Sequence, residues 1–186
     1  MTMKMSGEKV LNLPQQTVWK ALNDPEILRQ SIPGCESFEK TGENSYRATV
    51  ASRIGPVQAR FQGNVKISDL NPPSGYTLSG EGSGGAAGSA KGSAKVNLEP
   101  AAGGTRLTWN ADAQISGKLA QIGSRLIDST ANMMAGQFFD RFEQLLAGQK
   151  VEDKPLAAMS LVPPWMWGVG AGGLIALLVV LFLLLV

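Results

Sequence analysis

The side chains that most often do chemistry are scarce in this sequence. It contains no histidine, which removes Ser-His-Asp and Cys-His nucleophile systems, HExxH metal sites and imidazole proton shuttles. Carboxylates could still act as acid and base, but no motif clusters two of them. No catalytic residue and no metal site is therefore expected. Cys35 is the only cysteine, so no disulfide can form within one chain, and a lone thiol is more often packing than chemistry. The 17 Lys and Arg against 15 Asp and Glu leave a net charge of +2, too small to suggest a nucleic-acid partner.

Glycine patterns that could cradle a nucleotide fail on context. Gly168-Val169-Gly170-Ala171-Gly172-Gly173 has the letters of a dinucleotide-binding turn, but no strand precedes it and it lies in an uncharged apolar tail. Gly80-Glu81-Gly82-Ser83-Gly84-Gly85 has them too, but no apolar helix opens after it. No phosphate-loop pattern occurs. Gly168 and Gly172 do form a G-x-x-x-G pair, which reads either as a self-association face or as plain small-residue content of a membrane helix. What remains is apolar. Trp109, Met133, Met134 and Phe138 could line a cofactor or lipid pocket, or could be ordinary core.

The elements that carry these residues decide between the two. Met3 to Leu13 reads as a strand with mixed alternation. Pro14 opens a short helix with Val18, Trp19 and Leu22 on one stripe, and Asn23-Asp24-Pro25 ends it and opens a second that stops at Ile32-Pro33-Gly34. Cys35 to Lys40 and Tyr46 to Ile54 are strands joined through Gly42-Glu43-Asn44. From Val57 to Ile67 an apolar set (Val57, Ala59, Phe61, Gly63, Val65, Ile67) alternates with a polar one, and from Arg106 to Ile115 Leu107, Trp109, Ala111, Ala113 and Ile115 do the same. That is the pattern of an antiparallel sheet with one wet face. A long helix follows from about Lys118 to Leu146, with Leu119, Ile122, Leu126, Met133, Phe138, Phe142 and Leu145 on a broad apolar face.

Gly80 to Lys95 has the composition of a flexible linker and contains the direct repeat Gly88-Ser89-Ala90-Lys91 and Gly92-Ser93-Ala94-Lys95. Its period-2 alternation favours strands instead. Gly88, Ala90, Gly92, Ala94, Val96 and Leu98 fall on one face, as do Tyr76, Leu78, Gly80, Gly82 and Gly84. The inward face then runs from bulky to tiny, and small inward residues leave room for a ligand.

Trp165 to Val186 carries no charge, and from Leu174 onward every residue except Ala176 is Leu, Ile, Val or Phe. As a helix the 22 residues would measure ~33 Å, about one bilayer hydrocarbon thickness. Twelve such residues at roughly −0.3 to −0.6 kcal/mol each favour insertion. Trp165 and Trp167 sit where an interfacial aromatic belt belongs, and Lys150 and Lys154 flank the span. The first nine residues have no apolar h-region, so no secretory signal is read there and the N-terminal domain is expected in the cytoplasm, held at the cytoplasmic membrane. The expected organisation is a domain over residues 1–147, a linker over 148–164 and a transmembrane anchor over 165–186.

Strand, two short helices, six strands and one long helix is an order that resembles the helix-grip fold of START-related lipid-binding domains, the SRPBCC superfamily. Three stretches narrow the resemblance: Ser31-Ile32-Pro33-Gly34-Cys35, Lys91 to Leu98 with Gly104 to Trp109, and Gly117-Lys118-Leu119-Ala120-Gln121-Ile122-Gly123-Ser124-Arg125-Leu126-Ile127. Over roughly residues 3 to 146 the chain is similar to the CoxG family, components of carbon monoxide dehydrogenase systems. The resemblance implies an α+β antiparallel sheet wrapped around a long C-terminal helix, then a single membrane helix. It implies a molybdenum hydroxylase of the carbon monoxide dehydrogenase type as partner, with a role in holding that enzyme at the membrane. It carries over no catalytic residues.

The residues suggest the mechanism. A tethered domain with an apolar cavity could bring a hydrophobic acceptor, such as a quinone, to a soluble redox enzyme and so serve electron transport. Trp19, Phe61, Trp109, Ile122, Leu126 and Met133 are expected in the cavity wall, with Gly82, Ala90 and Gly92 leaving the space. Arg125, one step before Leu126 and ~100° round the helix, is the nearest polar contact, or equally a solvated residue. No Arg or Lys cluster falls on the inward faces, so an uncharged ligand is expected. The alternative is a ligand-free docking protein that recruits the enzyme with a filled core. An enzyme on the same fold, acting on an apolar substrate, lacks any polar constellation to support it.

Overall fold

A computed structural model describes residues 1–148. The expected anchor over 165–186, its Gly168 and Gly172, and the linker beyond Gly148 lie outside these residues. Seven strands run in chain order as β1 (Thr2–Leu11), β2 (Cys35–Gly42), β3 (Ser45–Ile54), β4 (Val57–Asn71), β5 (Gly75–Ser83), β6 (Ser89–Ala101) and β7 (Gly104–Ile115). Helices α1 (Gln15–Leu22) and α2 (Pro25–Ser31) connect the first two strands, and α3 (Lys118–Ile122) and α4 (Ser124–Leu146) follow the last. The sheet order is β1-β7-β6-β5-β4-β3-β2, with every described pairing antiparallel.

The strands form where the alternation is strict. In β3, Tyr46, Ala48, Val50, Ser52 and Ile54 are buried while Arg47, Ala51 and Arg53 are exposed. The Gly/Ser/Ala stretch is sheet as well: β5 and β6 are joined by a single 3-10 turn, Gly85–Ala87, and pair from Gly75–Asn97 to Ser83–Ser89. The short helices have local causes. Asp24 caps α2, its side chain accepting from the amides of Glu26 and Ile27, and Pro25 supplies a ready-made first turn. Gln15, in the first turn of α1, donates to the carbonyls of Leu98 (2.9 Å) and Pro73 (3.3 Å), which ties α1 to that end of the sheet.

The long helix differs from its sequence reading. Lys118 to Leu146 is not one helix. Gly123 (φ +91°) separates the five-residue α3 from the 23-residue α4. The apolar spacing continues across the break, so periodicity alone does not reveal it. Gly123 takes a left-handed backbone that side chains with a Cβ resist.

α4 lies on the inner face of the sheet. Its Ile127, Ala131, Met134, Ala135, Phe138, Phe139 and Phe142 are buried. Phe138, Phe139 and Phe142 form an aromatic cluster with centroids 5.2, 5.4 and 6.5 Å apart. All three are fully buried, and each such burial contributes roughly 1.5–3 kcal/mol. Among the described residues, no helix is long and apolar enough to cross a membrane.

Candidate ligand site

Register turns the alternation into rows that cross the sheet on its inner face. One row reads Ala48, Gly63, Gly82, Ala90 and Ile115. The next reads Tyr46, Val65, Gly80, Gly92, Ala113 and Met3. Beyond them side chains grow: Ile67, Leu78, Ala94, Ala111 and Met5, then Tyr76, Val96, Trp109 and Gly7. The centre of the sheet is therefore floored by glycine and alanine, between a bulky patch at one end and Phe61 and Ile115 at the other.

The bulky patch holds the interior's unusual polar atom. Trp109 is only 4% exposed and its indole Nε1 is buried without a hydrogen-bond partner. The ring is pinned because Gly7 faces it: a Cβ at Gly7 would stand 2.0 Å from Trp109 Cζ2. Tyr76, two strands away on the same row, is buried, meets Trp19 edge to face at 5.6 Å, and has its phenol pushed up by burial. Burying a donor without an acceptor costs about 1–3 kcal/mol. The Trp109 N–H is thus a hydrogen bond left open in an apolar surround.

The other sequence-derived site residues are placed as follows. Phe61 is fully buried, and Trp19, Ile122 and Met133 are half-buried against the core. Leu126 is 39% exposed and lies on the β3–β4 turn, where a Cβ at Gly55 would come 2.7 Å from its Cδ2. Arg125 is exposed. Ala90 is buried, while Gly82 and Gly92 are half-buried. At Gly92 a Cβ would stand 2.4 Å from the Asp112 carbonyl oxygen, so its missing side chain admits the β7 backbone. Sequence reasoning did not single out Tyr76 as a site residue. Its place beside Trp19 depends on pairing across β5 and on the seating of α1, and neither leaves a local signal.

The outer face carries an open, polar groove of about 910 Å³. Arg47, Arg60, Asn64, Ser83, Ser89 and Lys91 border it, together with Gly82 and Ala90. Arg60 is engaged by Glu36 at 2.7 Å, and Arg47 donates to Asn64 at 3.3 Å. A neighbouring groove of about 690 Å³ includes Gly92 on its border.

Little here is arranged for bond-making. Cys35 is half-buried, its thiol donates to the Ser37 carbonyl at 3.4 Å, and burial pushes its pKa up to about 11 against the opposing pull of Arg29. Held as a thiol, it is a poor nucleophile. Ser52 donates to the Met134 sulfur at 3.8 Å in the core, where no base accompanies it. Among the described residues no group of three or more metal-ligating side chains comes together.

A seven-stranded antiparallel sheet wrapped on one long C-terminal helix, with two short helices after the first strand, defines a helix-grip protein. Solved structures share that fold. A conserved protein from Geobacillus kaustophilus is 30% identical, with a TM-score of 0.71 over 80% of this chain and 96% of its own. Ara h 8.0201 is 18% identical with a TM-score of 0.58, over 80% of this chain and all of its own (100%). A Rhizobium leguminosarum protein is 19% identical with a TM-score of 0.61, over 80% of this chain and 97% of its own. No curated protein matches the sequence. The family model for CoxG, a component of carbon monoxide dehydrogenase, matches residues 7–147, and the chain belongs to that family.

Proposed function

We propose that this protein is a membrane-anchored accessory subunit of a molybdenum hydroxylase of the carbon monoxide dehydrogenase type. Its inner face would bind a neutral quinone and pass it between that enzyme and the respiratory membrane. Family membership supports the partner. The apolar run over Trp165–Val186 supports the anchor. The observation that carries ligand binding is the buried Trp109 N–H with no acceptor, set beside a floor of glycine and alanine. A quinone carbonyl is an uncharged acceptor on an apolar ring. It would complete the open hydrogen bond without bringing a charge into the interior, where no lysine or arginine faces the floor to pair with one.

The test uses residues 1–148, which contain every buried core residue. The domain, purified after co-expression with the enzyme, is extracted into organic solvent and the extract read by mass spectrometry. A stoichiometric quinone is expected. Trp109→Phe should stay folded and bind the same quinone about five- to tenfold more weakly, the loss expected for one hydrogen bond. An extract free of quinone, from a domain that still recruits the enzyme, would leave a ligand-free docking subunit as the function.

A further inference from the structure

The domain has two unlike ends. At one, the β3–β4 turn meets the α3–α4 junction: Leu126 lies on Gly55, Ile122 is 3.9 Å from a Cβ built there, and Arg53 Nε donates to the Gly55 carbonyl at 3.2 Å. Gly117 and Gly88 pack back to back at the same end, which brings α3 against the β5–β6 turn. This end is cationic. Arg53, Lys118 and Arg125 are exposed and enter none of the four described ion pairs, while Asp128 is the single carboxylate between Gly117 and Thr130. Leu126 stands among them as an exposed large apolar side chain.

The opposite end is acidic. There Glu8, Asp69, Glu99, Asp140 and Glu143 face Lys9, Arg106 and Arg141. The salt bridge between Lys9 and Glu143 (3.8 Å) fixes the C-terminal end of α4 to this end of the sheet. The chain therefore leaves the domain about 34 Å from the cationic end, the length of the 23-residue α4.

We infer that the cationic end, with Leu126 at its centre, docks onto an anionic lipid surface, so that the chain doubles back along the domain to reach its anchor. This rests on the reading of Trp165–Val186 as that anchor. Charge complementarity selects the surface: anionic headgroups attract exposed Arg and Lys, whereas an acidic end is repelled, and the leucine adds apolar contact at the headgroup boundary. Chain length permits the geometry. The 18 residues Ala147–Pro164 reach about 60 Å when extended, enough to return over 34 Å. A linker half as long would reach only about 31 Å and would fail.

The test uses the full chain in nanodiscs containing brominated lipid, either one-third phosphatidylglycerol or phosphatidylcholine alone. In a Cys35→Ser background, a fluorophore is placed at Leu126→Cys or, as control at the acidic end, at Leu70→Cys. The label at 126 should be quenched in the anionic discs, much less in the neutral ones, and the label at 70 in neither. Arg53→Glu, Lys118→Glu and Arg125→Glu should each weaken docking at least about fivefold without releasing the chain from the disc. Deleting nine linker residues should abolish quenching at 126. Quenching at 70 instead, or at neither position in a chain that stays in the disc after a high-salt wash, overturns the inference alone. A chain that washes out of the disc overturns the anchor and the inference together.

Discussion

At the scale of single residues, the interior is set by what is missing from side chains. Gly7 exists because the Trp109 ring occupies the place of its Cβ, 2.0 Å away. Gly7→Ala should therefore displace the indole and cost about 1–3 kcal/mol of stability, measurable by denaturant unfolding. Trp109 was legible in the sequence as an inward residue of β7. That its N–H lacks an acceptor was not, because hydrogen-bond satisfaction depends on neighbours from other strands. Cys35 gives a pH-dependent prediction. Its pKa is raised from 9.0 to about 11, chiefly by burial and secondarily by Glu36. The fold therefore holds the neutral thiol, and the stability this contributes is present below pH 9 and lost as pH rises toward 11. Alkylation by iodoacetamide at pH 8 should run about a hundredfold slower than for an exposed thiol, from the smaller thiolate fraction alone, and accelerate above pH 10. Rapid labelling at pH 8 in the folded protein would show the thiol to be free.

At the scale of elements, the sequence was most informative where one rule dominated. Strict alternation located β3, β4 and β7, and it read the Gly/Ser/Ala stretch as strands rather than linker, as the pairing of β5 with β6 bears out. Two things escaped it. The break at Gly123 is invisible to apolar spacing, since Leu119, Ile122 and Leu126 keep helical intervals across it. Gly123→Ala should cost about 1 kcal/mol by forcing a Cβ into φ +91°, although no atom lies within 4 Å of it, so the penalty is conformational rather than steric. Alternation also cannot tell why an inward residue is small. Ala90 and Gly92 look equivalent in the repeat, but Gly92 is small because β7 backbone lies 2.4 Å from where its Cβ would be. Gly92→Leu should thus open the β6–β7 ladder and unfold the domain. Ala90→Leu, which already has a Cβ directed inward, should leave the fold intact and block ligand. If Ala90→Leu unfolds the domain as readily as Gly92→Leu, the floor is covered by packed side chains and holds no ligand.

At the scale of the whole molecule, the question is why an apolar-lined domain should be tethered at all. A docking protein needs only a tether and a surface for its partner, and its interior can be filled without consequence. A quinone carrier needs its interior to exchange with the lipid phase, so tether and interior must fail alike. The sequence marks the tether plainly, because 22 uncharged residues with an unbroken aliphatic run leave few alternatives to a bilayer. It could not mark the orientation of the domain, which emerges only once β1, the β3–β4 turn and α4 are assembled and the charges of the two ends are compared. Deleting Trp165–Val186 should cut electron flow from the partner enzyme to the respiratory chain severalfold while leaving its activity with a soluble dye unchanged. Ala90→Leu in the intact, membrane-bound protein should produce the same split. Equal oxygen consumption by membranes carrying Ala90→Leu and by membranes carrying the natural protein, with the enzyme recruited in both, would remove the carrier role and assign the protein to recruitment. A defect confined to the tail deletion would point the same way, since only a carrier makes the interior and the tether serve one step.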